Sequence, residues 1–303
     1  MSLTNYIRFW GVRGSYAAPF GSHMKVGGNT SCVEIRVGDH ILICDGGTGI
    51  IPLGEKLVAD GSTHDLLVVF THYHWDHICG LPFFVPAFRR DWNIAFFGPG
   101  ESKRDIEKRI SDQMKAPYFP VETETWAANI TYLSPRENGF VHGPMRITYQ
   151  NVHHPGVTYG YRIEVNGKVI VYVSDNEFMF LERSIEMRFG EFNIEEQALL
   201  DRMKREERHT ELNVIRGADV LIHDAQYTPE DYLKKRGWGH SCYIDTVTSA
   251  IEAGVKTLYL YHHDPTYDDK EVAAIHRNAL AIIKDRRSKM ECHVAHEGLA
   301  IEI

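Results

Sequence analysis

Three histidines and an aspartate crowd into one short segment of the chain. His72, His74, Asp76 and His77 lie within Thr71–His77, directly after the apolar run LLVVF. A loop that leaves a buried strand can aim neighbouring imidazoles and a carboxylate at one point, as a pair of first-row divalent ions requires. In chains with this histidine content, an HxHxDH pattern would arise by chance in on the order of a few chains per thousand. The segment therefore predicts a metal site.

Further histidines and an aspartate follow three other apolar runs with β-strand character. His153 and His154 follow ITYQNV, Asp175 follows VIVYVS, and His262 and His263 follow TLYLY. If these strands end along one edge of the sheets, their polar side chains converge on one cleft. Burying so many ionisable groups without a metal would be costly, so the strand ends favour a site with enough ligands for two ions.

In the rest of the chain, the order of apolar and polar runs predicts two sheets flanked by helices. Short β-rich runs separated by glycine-rich turns come first, which favours a mostly antiparallel start, and from about Leu66 apolar strands alternate with helical patterns. Asn166-Gly167 predicts a tight hairpin turn. We expect strands at 6–12, 32–37 and 40–44, helices near 101–115 and 244–253, a helix-like run at 78–84 and a mainly helical segment at 176–213.

Bulk properties narrow the class of protein. The 303 residues are 43% hydrophobic, enough for a substantial core, and we expect a single domain over residues 1–303. The net charge of −8 and the absence of a basic stripe argue against a large nucleic-acid partner. Five widely spaced cysteines without a CxxC argue against a disulfide framework. Without a signal-peptide pattern or a membrane-spanning run, we expect a cytoplasmic protein with no membrane partner, and a homodimer is compatible with its size.

The motif segments resemble the metallo-β-lactamase fold family, specifically its hydrolase and phosphodiesterase branch. THYHWDH matches the family's HxHxDH motif, DGGTG at Asp45–Gly49 resembles its early acidic glycine loop, and NVHHPGVTYGYR, VYVSDNE and LYLYHHDP supply further matches. The resemblance covers nearly the whole chain. It implies an α+β fold, a four-layer αβ/βα sandwich with metals at one edge between the sheets. Ranges 82–145 and 176–218 are then expected to be insertions that shape the mouth of the pocket.

The resemblance also implies a ligand set for two divalent metal ions. Carried over residue by residue, it assigns His72, His74 and His154 to one metal, Asp76, His77 and His262 to the other, and Asp175 to a bridging position. Zinc is the expected ion, and manganese and iron suit the same donors. His153 and His263, the other members of their doublets, are expected to support the ligands or to line the pocket.

The C-terminal third resembles the tRNA 3′-processing endonucleases (tRNase Z) and their relatives among small-molecule cyclic phosphodiesterases. That group carries a His-Glu pair after a strand and a GHS motif that opens a helix; His223, Asp224 and His240 match it, with Asp in place of the usual Glu. We hypothesise that a metal-bridging hydroxide attacks phosphorus and that His240, oriented by Asp224, protonates the leaving alkoxide. Asp76 is expected to be catalytic as well as a ligand.

Two sets of residues are weaker candidates for substrate contacts. The glycine-rich segments near the N-terminus offer direct phosphate contacts from Ser15, Asn29 or Thr30, although such turns usually serve backbone geometry. Aromatic side chains that could line the pocket mouth are more often part of a core. These are Phe83, Phe84, Trp92, Tyr118 and Trp126.

Together these features favour hydrolysis of a small cyclic phosphodiester or a nucleotide, with other functions left open. A tRNA-processing role is disfavoured, because only a short hairpin lies between His154 and Asp175, where that group carries a tRNA-gripping arm. β-Lactam hydrolysis is disfavoured by Asp175 at a position that holds Cys in some of those enzymes, and di-iron redox chemistry by His74 where Glu is usual. A lactone or thioester hydrolase is the main alternative. A non-catalytic metal-binding scaffold is the next.

Overall fold

Two seven-stranded sheets frame the molecule in the computed structural model, which describes residues 4–61, 64–135, 139–182 and 193–303. The first sheet has the order β14-β1-β2-β3-β4-β5-β6 and consists of β1 (Asn5–Gly11), β2 (Cys32–Val37), β3 (His40–Cys44), β4 (Asp65–Val69), β5 (Asn93–Phe97), β6 (Asn129–Tyr132) and β14 (Ala300–Glu302). The second sheet has the order β13-β12-β11-β10-β9-β8-β7 and consists of β7 (Phe140–His142), β8 (Met145–Val152), β9 (Thr158–Val165), β10 (Lys168–Val173), β11 (Val220–Asp224), β12 (Thr257–Tyr261) and β13 (Glu291–Val294).

Helices cover the outer face of each sheet. In the described ranges they are α1 (Ile50–Asp60), α2 (Trp75–Ile78), α3 (Lys103–Asp112), α4 (Ile194–Ile215), α5 (Pro229–Lys235), α6 (Tyr243–Glu252) and α7 (Asp269–Asp285). Asn193 and Asp268 begin α4 and α7 with capping boxes, which satisfy free backbone amides at the helix starts. No helix within these ranges is long and apolar enough to cross a membrane.

Alternate side chains of the central strands enter two different hydrophobic cores. In β4, Leu66 and Val68 pack in a core with α1 and α3, whereas Leu67 and Val69 face the space between the sheets. The outer face of the second sheet is covered by apolar residues of α4, α6 and α7. The result is the α+β four-layer sandwich that the motif resemblance implies.

Strand direction brings the polar strand ends to one edge. In the first sheet β4 pairs in parallel with β3 and β5, and in the second sheet β10, β11 and β12 pair in parallel. Because β9 is antiparallel to both β8 and β10, β8 ends on the same side as β10. The residues that follow these strands therefore meet, as the sequence predicts.

Local predictions have mixed outcomes. Asn166 and Gly167 both have positive φ, as a tight hairpin turn requires, and the charged helix is present as α3. In the helix-like run 78–84, α2 ends at Ile78 and a short 3₁₀ helix follows at Leu81–Phe83, so the run is not one continuous α-helix. Gly80 lies between the two helices, and a Cβ there would lie 2.1 Å from the Gly47 carbonyl oxygen. Within 176–213 the described helix is α4, and residues 183–192 lie outside the described residues.

Candidate metal centre

Three histidines form the first group of candidate ligands at the shared sheet edge. His72 and His74 come from the loop after β4, and His154 from the end of β8; their ligand atoms lie within 4.8 Å of one another. His154 Nε2 and His74 Nδ1 are 3.0 Å apart. His72 and His154 are buried and His74 is exposed, so this group faces an opening to solvent.

A second group lies beside the first. Asp76 and His77 of α2, Asp175 after β10 and His262 after β12 place their ligand atoms within 4.8 Å of one another, and all four side chains are buried. His77 Nε2 is 3.2 Å from Asp76 Oδ2 and 3.3 Å from His262 Nε2. These two groups contain the seven predicted ligands, and two further groups overlap them through His240: His154 with Asp175 and His240, and Asp224 with His240 and His262.

Asp175 turns a different oxygen toward each group. Its Oδ1 lies 3.1 Å from His77 Nε2 and 3.4 Å from His262 Nε2. Its Oδ2 lies 3.7 Å from both His72 Nε2 and His154 Nε2. The two oxygens of Asp175 therefore face different ligand groups.

The protonation states of most candidate ligands suit cation binding; His77 differs, because the lowering effect of burial on its pKa is outweighed by Asp175, Asp76 and Asp45, which raise that pKa well above the ordinary value. Burial alone would raise the pKa of the Asp175 carboxyl, but His262, His77 and His72 together hold that pKa well below its ordinary value. Burial lowers the pKa of His72 well below the ordinary value, which favours the neutral imidazole that binds metals. Among the described residues, the buried His72 Nε2 has no hydrogen-bond partner, and the contact of Asp175 Oδ1 with His77 Nε2 at 3.1 Å does not meet hydrogen-bond geometry. Such unsatisfied ligand atoms within a cluster of nitrogen and oxygen groups fit the binding of divalent cations.

Hydrogen bonds fix which ring nitrogen of each histidine faces the cluster. The Nδ1 atom of His77 lies 2.9 Å from Asp45 Oδ2, that of His262 lies 2.8 Å from Gln226 Oε1, and that of His154 lies 2.8 Å from the Gly239 carbonyl oxygen. Because each Nδ1–H donates to an oxygen, the Nε2 lone pair is left for a metal. These supports orient the ligands before any cation binds.

Asp45, in the DGGTG loop, links both sheets to the centre. It accepts hydrogen bonds from the Thr71 backbone amide at 2.8 Å and from the Tyr172 hydroxyl at 2.8 Å, in addition to the His77 contact. Thr71 follows a strand of the first sheet and Tyr172 belongs to the second. Asp45 is fully buried and has a φ of 62°, an unusual backbone conformation that the surrounding contacts must stabilise.

His240 and Asp224 form a contact beside the two groups. His240 Nδ1 lies 2.8 Å from Asp224 Oδ2, and the His240 ring stacks on His262 with centroids 5.0 Å apart. Asp224 also accepts from the backbone amides of Asn176 and Gln226. Burial lowers the pKa of His240, while the charges of Asp175 and Asp76 act in the opposite direction. Asp therefore reaches the imidazole even though it is shorter than the Glu expected at this position.

His223 does not join this pair. It precedes Asp224 on β11, and consecutive strand residues face opposite sides of a sheet. The His223 ring stacks on Phe178 at 4.6 Å on the outer face, and its Nδ1 lies 2.8 Å from the Asp224 carbonyl oxygen.

In each of the two histidine doublets, His153-His154 and His262-His263, only one histidine belongs to a candidate metal group of the described residues. Within the described ranges, neither His153 nor His263 belongs to a candidate metal group. The His153 ring stacks on Phe180 with centroids 3.8 Å apart, and His263 Nε2 lies 3.1 Å from the Ala295 carbonyl oxygen. The choice of His154 and His262 thus agrees with the positions of the rings.

The glycine-rich N-terminal turns approach the centre at one point. The backbone amide of Ser15 donates to Asp76 Oδ2 at 2.7 Å. Asn29 is held by Glu297, and the Thr30 hydroxyl accepts from the Thr48 amide. The structure gives Asn29 and Thr30 internal partners, whereas Ser15 lies against a candidate ligand.

Glu177 is a supporting residue that the sequence reading missed. This buried carboxylate accepts hydrogen bonds from the Tyr232 hydroxyl and from the Gly237 and Gly239 amides, each at 2.9 Å. The loop it holds carries the Gly239 carbonyl that supports His154, and it leads directly into His240. The polar run after β10, Ser174-Asp175-Asn176-Glu177, contains this residue directly after a candidate ligand, and that position is the sequence signal for it.

An aromatic groove of about 670 Å³ adjoins the motif loop. Its walls include Tyr73, Trp75, Phe83, Tyr118 and Arg109. The exposed fractions of Trp75 (79%), Phe83 (53%) and Tyr118 (83%) are high for rings of this size. Tyr73 and Trp75 alternate with the candidate ligands along the chain, so the groove lies beside the motif loop, and no candidate ligand is among its described lining residues.

The other aromatic candidates are not in the groove. Phe84, Trp92 and Trp126 are buried in the core beneath α1 and α3. For these three candidates the core position, which is the more frequent one for aromatic side chains, is the one observed. They stabilise the outer layer of the first sheet instead.

Comparisons with known proteins agree with this geometry. Residues 56–208, about half of the chain, match the family model of the Beta-lactamase superfamily domain. Ribonuclease Z of Sulfurisphaera tokodaii is 24% identical over 227 residues, covering 67% of this chain and 71% of that protein. The metallo-beta-lactamase fold protein YhfI from Bacillus subtilis has a similar structure, with a TM-score of 0.65, 18% identity and 98% coverage of both chains. A diphosphatase of the PhnP family gives a TM-score of 0.59 with 17% identity, covering 99% of this chain and 98% of that chain.

The ribonuclease Z similarity bears on the expected partner. Because relatives of this chain are named as ribonucleases, the comparisons do not support the expectation that a large nucleic acid is excluded. The motif loop, the two ligand groups and the matched model identify the chain as a metal-dependent hydrolase that belongs to the metallo-β-lactamase superfamily, in its phosphodiesterase branch.

Proposed function

We propose that this chain is a dinuclear metal-dependent phosphodiesterase that hydrolyses a small phosphodiester, such as a cyclic phosphodiester or a nucleotide. The observation that carries the proposal is the position of Asp175, which turns one oxygen toward each ligand group, next to the His240–Asp224 contact. Zinc is the proposed ion, with manganese and iron as alternatives that suit the same donors. The ligands would be the seven residues assigned above.

When bound, two divalent cations would supply Lewis-acid charge for phosphate oxygens and make water acidic enough to act as a nucleophile near neutral pH. The side chains of the chain itself have separate tasks. Asp224 holds the Nδ1–H of His240, which leaves His240 Nε2 as the nitrogen that can donate a proton to a leaving alkoxide. Asp76, fixed by the Ser15 amide, is proposed as a ligand and as a carboxylate that takes part in the reaction.

The aromatic groove supports a nucleotide-like substrate. Exposed rings such as Trp75 and Tyr118 offer stacking surfaces for a planar base, and base stacking contributes about 1–3 kcal/mol per base. The Arg109 guanidinium lies 5.5 Å from the Tyr73 ring centroid on the groove wall, and a cation there would attract a second phosphate or the face of a base. We also propose that the whole chain acts as one domain, with 82–145 and 176–218 shaping the groove mouth.

An RNA substrate is the first alternative, because relatives carry the name ribonuclease Z. Two features favour a smaller substrate. The segment between His154 and Asp175 contains only the β9–β10 hairpin, and the net charge is −8. A lactone or thioester hydrolase using the same cations on a carbonyl is the second alternative.

The test compares substrate classes on one preparation. Protein stripped of metal and re-supplied with zinc, manganese or iron would be assayed on a chromogenic phosphodiester, a cyclic nucleotide, a tRNA precursor, a lactone and a thioester. We expect metal-dependent turnover of the phosphodiester and the cyclic nucleotide. Turnover confined to the carbonyl esters would refute the phosphodiesterase, and preference for the tRNA precursor would refute the small substrate. Full metal loading without turnover of any substrate would favour a binding scaffold.

A further inference from the structure

A second cavity lies on the far side of the second sheet from the metal centre. It has a volume of about 260 Å³ and is bounded by the ends of β8 and β10, by the segment after β10 and by α4. Its apolar walls come from Val152, Val173, Phe178, Val214 and Ile215. At about 30 Å³ per water in the liquid, this volume equals on the order of nine water molecules. The cavity is therefore large enough for a small organic molecule.

Two buried polar atoms at this cavity lack hydrogen-bond partners among the described residues. They are Nε2 of His223 and Oε2 of Glu211, and both residues belong to the cavity wall. The His223 side chain is fully buried, and its other nitrogen donates to the Asp224 carbonyl oxygen, so Nε2 is an acceptor. Buried polar groups usually have a partner, and an unpaired one costs on the order of 1–3 kcal/mol. A ligand with hydrogen-bond donors would supply that partner.

The charge of the cavity wall favours a cation. Glu207 and Glu211 both line it from α4, and their carboxylates accept the backbone amides of Leu181 and Met179 without using all their lone pairs. One guanidinium is near, with Arg208 Nη1 3.7 Å from Glu211 Oε2. Burial raises the pKa of Glu207, and it raises the pKa of Glu211 to about 8 despite this arginine, so both carboxyl groups hold their protons more strongly than usual. A positive ligand would stabilise the ionised form of both groups.

We propose that this cavity is a second ligand site, which takes a small molecule with a primary ammonium group and an apolar body. The ammonium has three N–H donors, and the wall offers three acceptors in Glu207, Glu211 and His223. The apolar part would pack against the valines and Phe178. A neutral alcohol supplies one donor and no charge, and a carboxylate would bring a further negative charge next to two carboxyl groups.

The site is separate from the metal centre but adjacent to it in the chain. His223 and Asp224 are neighbours on β11 with side chains on opposite faces, and Phe178 lies three residues after Asp175. An ammonium ion in the cavity would therefore bind without displacing a metal. The proposal does not depend on which ester the centre hydrolyses.

Calorimetric titration of the metal-loaded protein with benzylamine tests the proposal. Benzyl alcohol and benzoate serve as neutral and anionic probes of similar shape. Glu211→Gln replaces one carboxyl group at the cavity by an amide that cannot ionise, and Glu207→Gln replaces the other. Glu206→Gln is the matched control, because Glu206 is on the same helix but exposed.

We expect benzylamine to bind at one site per chain, with affinity reduced about tenfold or more by Glu211→Gln and unchanged by Glu206→Gln. Thermal unfolding of each variant verifies that it is folded, and Glu207→Gln provides the same test if Glu211→Gln is not. Absence of benzylamine binding, equal binding of benzyl alcohol, or binding that both cavity variants leave unchanged would overturn the proposal. The last outcome would indicate that the amine binds a metal ion instead.

Discussion

Replacing His240 by alanine should slow substrates with a poor leaving group far more than substrates with a good one. If His240 Nε2 protonates the departing oxygen, an alkoxide needs that proton, whereas p-nitrophenolate leaves without it. General acid catalysis contributes about 10²–10⁴-fold in rate. At 1.36 kcal/mol for each tenfold change in rate, this corresponds to roughly 2.7–5.4 kcal/mol of activation barrier.

The upper part of this range is favoured by the surroundings of the ring. His240 is 8% exposed, its Nδ1 is held 2.8 Å from Asp224, and its ring lies 5.0 Å from that of His262 and 5.1 Å from that of His154. The imidazole is therefore fixed in orientation and next to both ligand groups. A fixed acid in a water-poor site is more effective than a mobile one.

The assay compares kcat for an alkyl and a p-nitrophenyl ester of the same phosphodiester, with metal content measured by mass spectrometry on the same sample. His240→Ala should lower kcat for the alkyl ester by about 10²–10⁴-fold and for the p-nitrophenyl ester by less than about tenfold, with metal content unchanged. His153→Ala, next in the chain to a ligand but turned away from the centre, is the control. Equal losses on the two esters, or no loss, would refute the role of general acid.

Four other substitutions test separate parts of the structure. Asp175→Asn weakens the bridge and should reduce the metal content by about one ion per chain, measured by mass spectrometry. Asp45→Asn disturbs the orientation of His77 and should weaken metal binding about 10–100-fold in a chelator competition. Trp75→Ala should raise KM about five- to 150-fold for a nucleoside phosphodiester, from 1–3 kcal/mol of stacking, and leave a methyl phosphodiester unaffected. Glu211 keeps its proton in the folded state up to about pH 8, whereas the ordinary pKa is 4.5, so stability falls as pH rises between these values. Glu211→Gln should remove this loss, up to about 3 kcal/mol at pH 7 in denaturant titrations.

The candidate ligands could be grouped from the sequence because several of them follow strands directly. A strand end fixes where the next side chain lies, and parallel strands place those ends together, so His72, His154, Asp175 and His262 could be grouped without coordinates. The alternation of strand side chains also separates His154 from His153 once the strand is located. The useful signal was therefore the repeated placement of a His or Asp directly after an apolar strand, which puts these side chains at the same edge of a sheet.

The parts that could not be predicted depend on loops. Glu177 binds amides of a loop some sixty residues later, and no local pattern signals a contact between two irregular segments. Phe83 and Phe84 are neighbours of the same type, yet one is 53% exposed in the groove and the other is fully buried. The 3₁₀ turn at this point decides which ring faces solvent. A helix-like prediction for 78–84 does not specify this turn, so it could not distinguish the two rings.

Asp45 receives hydrogen bonds from both sheets, and this has a consequence for the order of events during folding. The ligands span positions 72 to 262, and Asp45 can orient His77 only when Tyr172 of the other sheet has docked. The complete centre therefore forms only after the longest loops have closed, late on the folding route. Metals should accordingly leave the refolding rate almost unchanged and slow unfolding, so that loading prolongs the lifetime of the native state.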